Sequence, residues 1–181
     1  MRKVVVSEFM TLDGVIENPA WSMPYQSDEQ NALKFAELRD ADALLLGRVT
    51  YDGFAAAWPG MAEKTGEYGA WMNGYPKYVA STTLDTAEWN ASIIKGDLAE
   101  AINKLRQQEG KDILVFGSGK LAASLMRLGL VDEFRLIVYP IVVGQGQKLF
   151  VDSVTANLQL VKSEVFSSGA VALTYQPAAG D

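Results

Sequence analysis

Two runs, "DALLLG" at 42–47 and "DILVFG" at 112–117, constrain this chain more than any other feature. Each is continuously apolar rather than alternating, ends in glycine and gives way at once to a helix-compatible segment. A strand that is apolar on both sides has to be covered on both sides, which is the position of a strand in a parallel α/β sheet. Further apolar runs of strand length lie near 3–10, 76–81, 91–95 and 133–139.

Helical patterns separate these runs. "SDEQNALKFAELRD" opens on Ser27 with Gln30 three residues on, a capping-box signature. "DLAEAINKLRQQEG" has Asp97 as N-cap, Leu98, Ala101, Ile102 and Leu105 on one face, and Gly110 as the expected C′ residue. "SGKLAASLMRLGL" puts Leu121, Leu125 and Leu128 along one stripe. Strand alternating with helix implies right-handed crossovers and a largely parallel sheet. In the last third, "EFRLIVYPIVVGQGQKLF", "LQLVKSEVFS" and "AVALTYQP" read as strands without helices, the last two joined at "SSG" as a hairpin. With no repeat or linker, the expectation is one domain over 1–181: a parallel α/β sheet finished by an antiparallel edge.

Composition removes whole classes of chemistry. The 181 residues include no histidine and no cysteine. A disulfide framework, a thiolate nucleophile, a His-dependent triad and the commonest zinc ligands are therefore excluded, and no metal is expected. A net charge of −6 argues against broad nucleic-acid binding, which needs many phosphate-neutralising cations. The N-terminal "MRKVVVSEFM" is too short and polar for a signal core, and no run has the length of a membrane span. A cytoplasmic protein without a membrane partner is the expectation.

In open α/β sheets, ligands bind outside the carboxyl ends of the strands. At 47–50, Gly47 allows close backbone approach, Arg48 offers a planar charged fork, and Thr50 a hydroxyl. A cation is disfavoured at a helix N-terminus, so Arg48 there makes sense if an anion is its partner. The alternative is a tight turn with a solvated charge. The segment "LVFGSGKLA" places Gly117, Ser118, Gly119 and Lys120 at a second strand-to-helix turn. Alone it is a weak fingerprint; with Gly47-Arg48 it gives two glycine-bearing strand ends able to face one pyrophosphate. "YVASTTL" ends in hydroxyls, Ser81 and Thr82 among them, which suit a 2′-phosphate and hence NADPH over NADH. A polar turn is the plain alternative there.

The order of "GRVTY", "ST" and "FGSG" resembles the dihydrofolate-reductase-like superfamily. "SEFMTLDGVI", "LGRVTYDGFAAAWP" and "YPIVVGQGQKLF" make the chain most similar to the reductase domain at the C-terminus of the riboflavin-biosynthesis bifunctional deaminase-reductase and its stand-alone relatives. The resemblance implies a three-layer fold with a mostly parallel sheet of about eight strands, NADPH as hydride donor, a small heterocyclic substrate and a homodimer. By position, Gly47, Arg48, Thr50, Ser81, Thr82, Gly117, Ser118, Gly119 and Lys120 would bind the cofactor. Thr11, Gly14 and Trp21 would border the substrate, with Asp13 and Asp28 as candidate proton donors.

One departure bears on the reaction. Dihydrofolate reductases carry an acid just after a W-x-x-P stretch; here Trp21 and Pro24 are followed by Gln26, with Asp28 and Glu29 two and three residues later. Reduction of a pyrimidine intermediate is therefore the leading expectation. Dihydrofolate reduction, a non-catalytic NADPH-binding sensor and a phosphate-ester-binding protein are the alternatives.

Overall fold

One sheet takes in eight strands in the order β4-β3-β2-β5-β1-β6-β8-β7. They are β1 (Val4–Thr11), β2 (Ala41–Gly47), β3 (Lys77–Ala80), β4 (Ala91–Ile94), β5 (Asp112–Phe116), β6 (Glu133–Tyr139), β7 (Leu158–Val165) and β8 (Val171–Pro177). Between them lie α1 (Asp28–Arg39), α2 (Arg48–Ala57), α3 (Ala62–Gly74), α4 (Leu98–Gln107) and α5 (Gly119–Arg127). This computed structural model describes residues 1–152 and 154–178. Every pairing from β4 through β6 is parallel, and β8 enters antiparallel between β6 and β7.

The continuous apolar runs behave as their composition requires. Leu44, Leu45 and Leu46 of β2 and Ile113, Leu114 and Val115 of β5 are all fully buried. Their side chains alternate between two cores. Leu45, Ile113 and Val115 pack with Ile102, Leu121 and Leu125 of α4 and α5. Leu44, Leu46 and Leu114 pack on the other face with Leu38, Tyr51 and Met72 of α1, α2 and α3. At about 1.5–3 kcal/mol for each large apolar side chain taken out of water, these two layers carry the fold. Among the described residues, no helix is long and apolar enough to cross a membrane.

Three local readings change, and one helix appears that the sequence leaves unmarked. Helix α3 has no clear periodicity in sequence because Gly66, Gly69 and Gly74 interrupt it, and Gly66 breaks it with φ of 58°. Helix α4 ends at Gln107, so Gly110 lies beyond the C′ position, where its φ of 147° lets the chain pass close to Arg2 and Asp42. Strand β6 stops at Tyr139 instead of running through 140–150. Pro140 has no N–H to give a ladder, and Gly144 and Gly146 take positive φ. The segment 140–149 instead lies as a strap against the residues after β1, through a bridge between Val15 and Lys148 and N–H bonds from Leu12 to Ile141, Ile16 to Gln147 and Leu149 to Gly14. Leu128, expected on the buried stripe of α5, caps the helix and is exposed.

Candidate cofactor cleft

The parallel strands all end on one side of the sheet, and there a cleft of about 1030 Å³ opens. Its wall is built from the ends of β2, β3 and β4 and from the starts of α2 and α5. Gly47, Arg48, Thr50, Ser81, Thr82, Ser118, Gly119 and Lys120 all line it. Gly117 lies directly before this group, in the same turn.

The two glycine-bearing strand ends are tied together. Gly47 N–H donates to the Ser118 hydroxyl at 2.8 Å, and Ser118 N–H donates to the Thr50 hydroxyl at 2.9 Å. Gly117 and Ser118 both adopt left-handed backbone, with φ of 54° and 59°. A Cβ on Gly117 would stand 3.0 Å from the Thr50 hydroxyl, and one on Gly119 would stand 2.8 Å from the Gln147 amide. Side chains at these positions would fill the space between the strand ends. The glycines therefore keep backbone N–H groups at the starts of two helices open to an anion.

Arg48 spans the cleft mouth. Its guanidinium donates to the Thr83 hydroxyl at 2.9 Å and to Asp52 at 3.3 Å, so one helical turn of α2 supplies the carboxylate that offsets the unfavourable cation. Ser81 accepts N–H bonds from Thr83 and Leu84, which folds the strand end into a turn and leaves its own O–H proton available. Thr83, the third hydroxyl of "YVASTTL", lines the cleft as well, whereas sequence reasoning missed Lys95 and Gly96 after β4, and Glu17 and Gln147. Lys95-Gly96 repeats the pattern of a polar residue beside glycine at a strand end, a signal that was present in "IIKG".

Thr11, Asp13 and Gly14 have a different setting. The Thr11 hydroxyl donates to Asp13 at 2.6 Å and accepts from Val15 N–H, while Asp13 accepts from the N–H groups of Val143 and Gly144. These bonds, the Thr11 hydroxyl first, hold the Asp13 carboxyl below its ordinary value. Gly14 takes φ of 87°, and its carbonyl receives Leu149 N–H. The group braces the 140–149 strap, which presents Gln147 to the cleft. Trp21 donates to the Glu17 carbonyl and packs edge-on to Tyr139 at 5.5 Å. Asp28 is exposed at the first residue of α1, whereas Gln30 turns inward to accept from the buried Tyr139 hydroxyl at 2.8 Å. None of Thr11, Asp13, Gly14, Trp21 and Asp28 is among the residues that line the cleft.

Glu8 of β1 did not stand out in the sequence. It is 5% exposed, and its Oε1 has no hydrogen-bond partner among the described residues. Burial pushes its carboxyl well above the usual glutamate range, partly countered by the Lys34 ammonium and by the Gly117 N–H. The signal available was an acid set inside a mostly apolar strand.

Known proteins share this fold. The uncharacterized protein YyaP of Bacillus subtilis (strain 168) is 33% identical over 96% of this chain and 94% of its own length. The crystal structure of a putative riboflavin biosynthesis protein from Shewanella sp. PV-4 superposes with a TM-score of 0.77 at 22% identity, covering 97% of this chain and 99% of that one. Dihydrofolate reductase from Enterococcus faecalis, solved with NADP(H), superposes with a TM-score of 0.64 at 14% identity over 97% and 96% of the two chains. These likenesses show a dihydrofolate-reductase-like fold. The model of the RibD C-terminal domain matches residues 2–172, and the chain belongs to that family.

Proposed function

We propose that this protein is an NADPH-dependent reductase acting on a small heterocyclic substrate, of the kind represented by the uracil reductase step of riboflavin biosynthesis. The observation that carries the reading is the interlocked pair of strand ends, Gly47 to Ser118 and Ser118 to Thr50, opening two helix N-termini onto one cleft. The cleft exceeds the size of a site for a single phosphate and suits an extended ligand.

The residues present fit a dinucleotide. Backbone N–H groups at the starts of α2 and α5 would hold the pyrophosphate, and Arg48, Ser81, Thr82, Thr83 and Lys95 the 2′-phosphate. When bound, the reduced cofactor supplies a hydride. The chain's own part is to place the acceptor beside it, exclude water and provide a proton. The Enterococcus protein's complex with NADP(H) supports the same choice of cofactor.

A non-catalytic NADPH-binding protein is the second reading. It is favoured by the setting of Asp13, engaged by the strap, and of Asp28, on the surface. Titration with NADPH and NADH, followed by NADPH oxidation against a panel of pyrimidines and pteridines, tests both. Preferred NADPH binding with turnover supports the reductase; binding without turnover on any member favours the second reading; no binding overturns both.

A further inference from the structure

Strand alternation puts Glu8 on the same face of β1 as Val6 and Met10, the face covered by α5. β5 ends at Phe116, paired with Ser7, so Glu8 stands one residue past the end of that ladder. There the N–H of Gly117 acts on its carboxyl. The next two residues, Ser118 and Gly119, line the cleft, whereas Glu8 itself is not among the residues that line it. On its other side Glu8 pairs with the apolar Leu136 of β6, and from α1 the Lys34 ammonium acts on it. Lys34 is itself engaged, by Glu37 and the Ser7 hydroxyl, both at 2.7 Å. A buried carboxyl with one oxygen unpaired is costly unless that oxygen has a use.

We propose that Glu8 is the acid of this site: neutral when the reduced cofactor binds, it gives up its proton during reduction and remains as a carboxylate. The inference rests on the NADPH reading above and supplies the proton donor that reading leaves open. The step balances. The hydride goes to the carbon of a C=N or C=O bond of the substrate. The Glu8 O–H bond breaks, and its proton goes to the nitrogen or oxygen of that bond. Water then restores the proton on Glu8. The charge change is also balanced, because oxidised nicotinamide is a cation and the carboxylate left on Glu8 offsets it in a place where a lone charge would be expensive.

Two measurements, neither of which needs a substrate, test this. The first is the ratio of NADP+ to NADPH affinity as a function of pH; taking the ratio cancels groups common to both forms, the 2′-phosphate included. Glu8 ionises only opposite the oxidised form, so the ratio is expected to rise about tenfold per pH unit where Glu8 is neutral in the free protein. In Glu8→Gln the ratio should be flat while NADPH still binds. The second is the infrared carbonyl band of a protonated carboxyl, sensitive to D2O. It is expected in the wild type at neutral pH and should be lost in Glu8→Gln.

A pH-independent ratio in a protein that binds both nucleotides overturns the inference and leaves the cofactor reading intact. A wild-type spectrum without the band overturns it as well, since Glu8 would then be ionised, and this result stands even if Glu8→Gln fails to fold. If neither nucleotide binds, the cofactor reading falls and takes the inference with it. If Glu8→Gln loses stability but keeps the wild-type ratio, Glu8 is a structural clamp on Gly117 and the inference fails.

Discussion

Gly47 and Ser118, 71 residues apart in sequence, are joined by a 2.8 Å hydrogen bond that fixes the end of β2 against the start of α5. The return bond, Ser118 N–H to the Thr50 hydroxyl, makes the two strand ends one rigid unit. Thr50→Val keeps the shape of the side chain and removes the acceptor, leaving a partly buried N–H unpaired. The expected cost is about 1–3 kcal/mol in urea unfolding, the range for an orphaned polar group. NADPH affinity should fall along with it, because the cradle loses its spacing. A stable variant with unchanged affinity would show that the lock is incidental to the cleft.

Arg48 gives a sharper test of the ligand. Its guanidinium bridges α2 and the β3 end through Thr83. If a 2′-phosphate completes that arrangement, Arg48→Ala should weaken NADPH binding by about 1.5–3 kcal/mol, the range for hydrogen bonds to a charged group. NADH, which lacks that phosphate, should lose much less. Arg48→Lys should recover only part of the loss, since a point charge does not reproduce the planar fork. Parallel losses for both nucleotides in a calorimetric titration would move Arg48 away from the 2′-phosphate.

Much of this architecture is legible in the sequence because buried strands leave a simple trace. "DALLLG" and "DILVFG" have no polar residue on either face over their central positions, and each appears within a residue or so of its expected limits. Helix α3 escapes because its glycines carry no hydropathy signal. The 140–149 strap escapes because "PIVVG" has the composition of a strand, and Pro140 decides otherwise. In the site, backbone-binding motifs are readable because glycine and hydroxyl residues stand in short order at strand ends. Glu8 is not, because its importance lies in what surrounds it: a single acid in "VVVSEFM" has no meaning until burial by β5, β6 and α5 is known.

The outer edge of β7 bears on assembly. Leu160, Val161 and Val165 of this strand are exposed at 49%, 55% and 75%, a concentration that edge strands normally avoid or cover. A second copy of the chain pairing here would bury them, and light scattering should then return twice the 19.7 kDa chain mass. Val161→Lys puts a charge on the edge and should return the single-chain mass. A wild type that runs as one chain at micromolar concentration removes the dimer.

Glu29 sets an acid limit on the packing of α1. Its carboxylate, in the first turn, accepts from its own N–H and from Ser167 and Ser27, and this set of bonds lowers its pKa from the ordinary 4.5 to about 2. Ser167 lies between β7 and β8, so the contact joins α1 to the far hairpin. The folded protein binds fewer protons at this site than the unfolded chain between those two values, so the contribution to stability is full above pH 4.5 and is lost as the pH falls toward about 2. Glu29→Gln should therefore be less stable than the wild type by a constant amount near neutral pH. The difference should close on acidification, reaching nothing near pH 2. Urea unfolding of both proteins at a series of pH values measures it. A gap that persists unchanged at the acid end would mean that Glu29 acts through packing instead of charge.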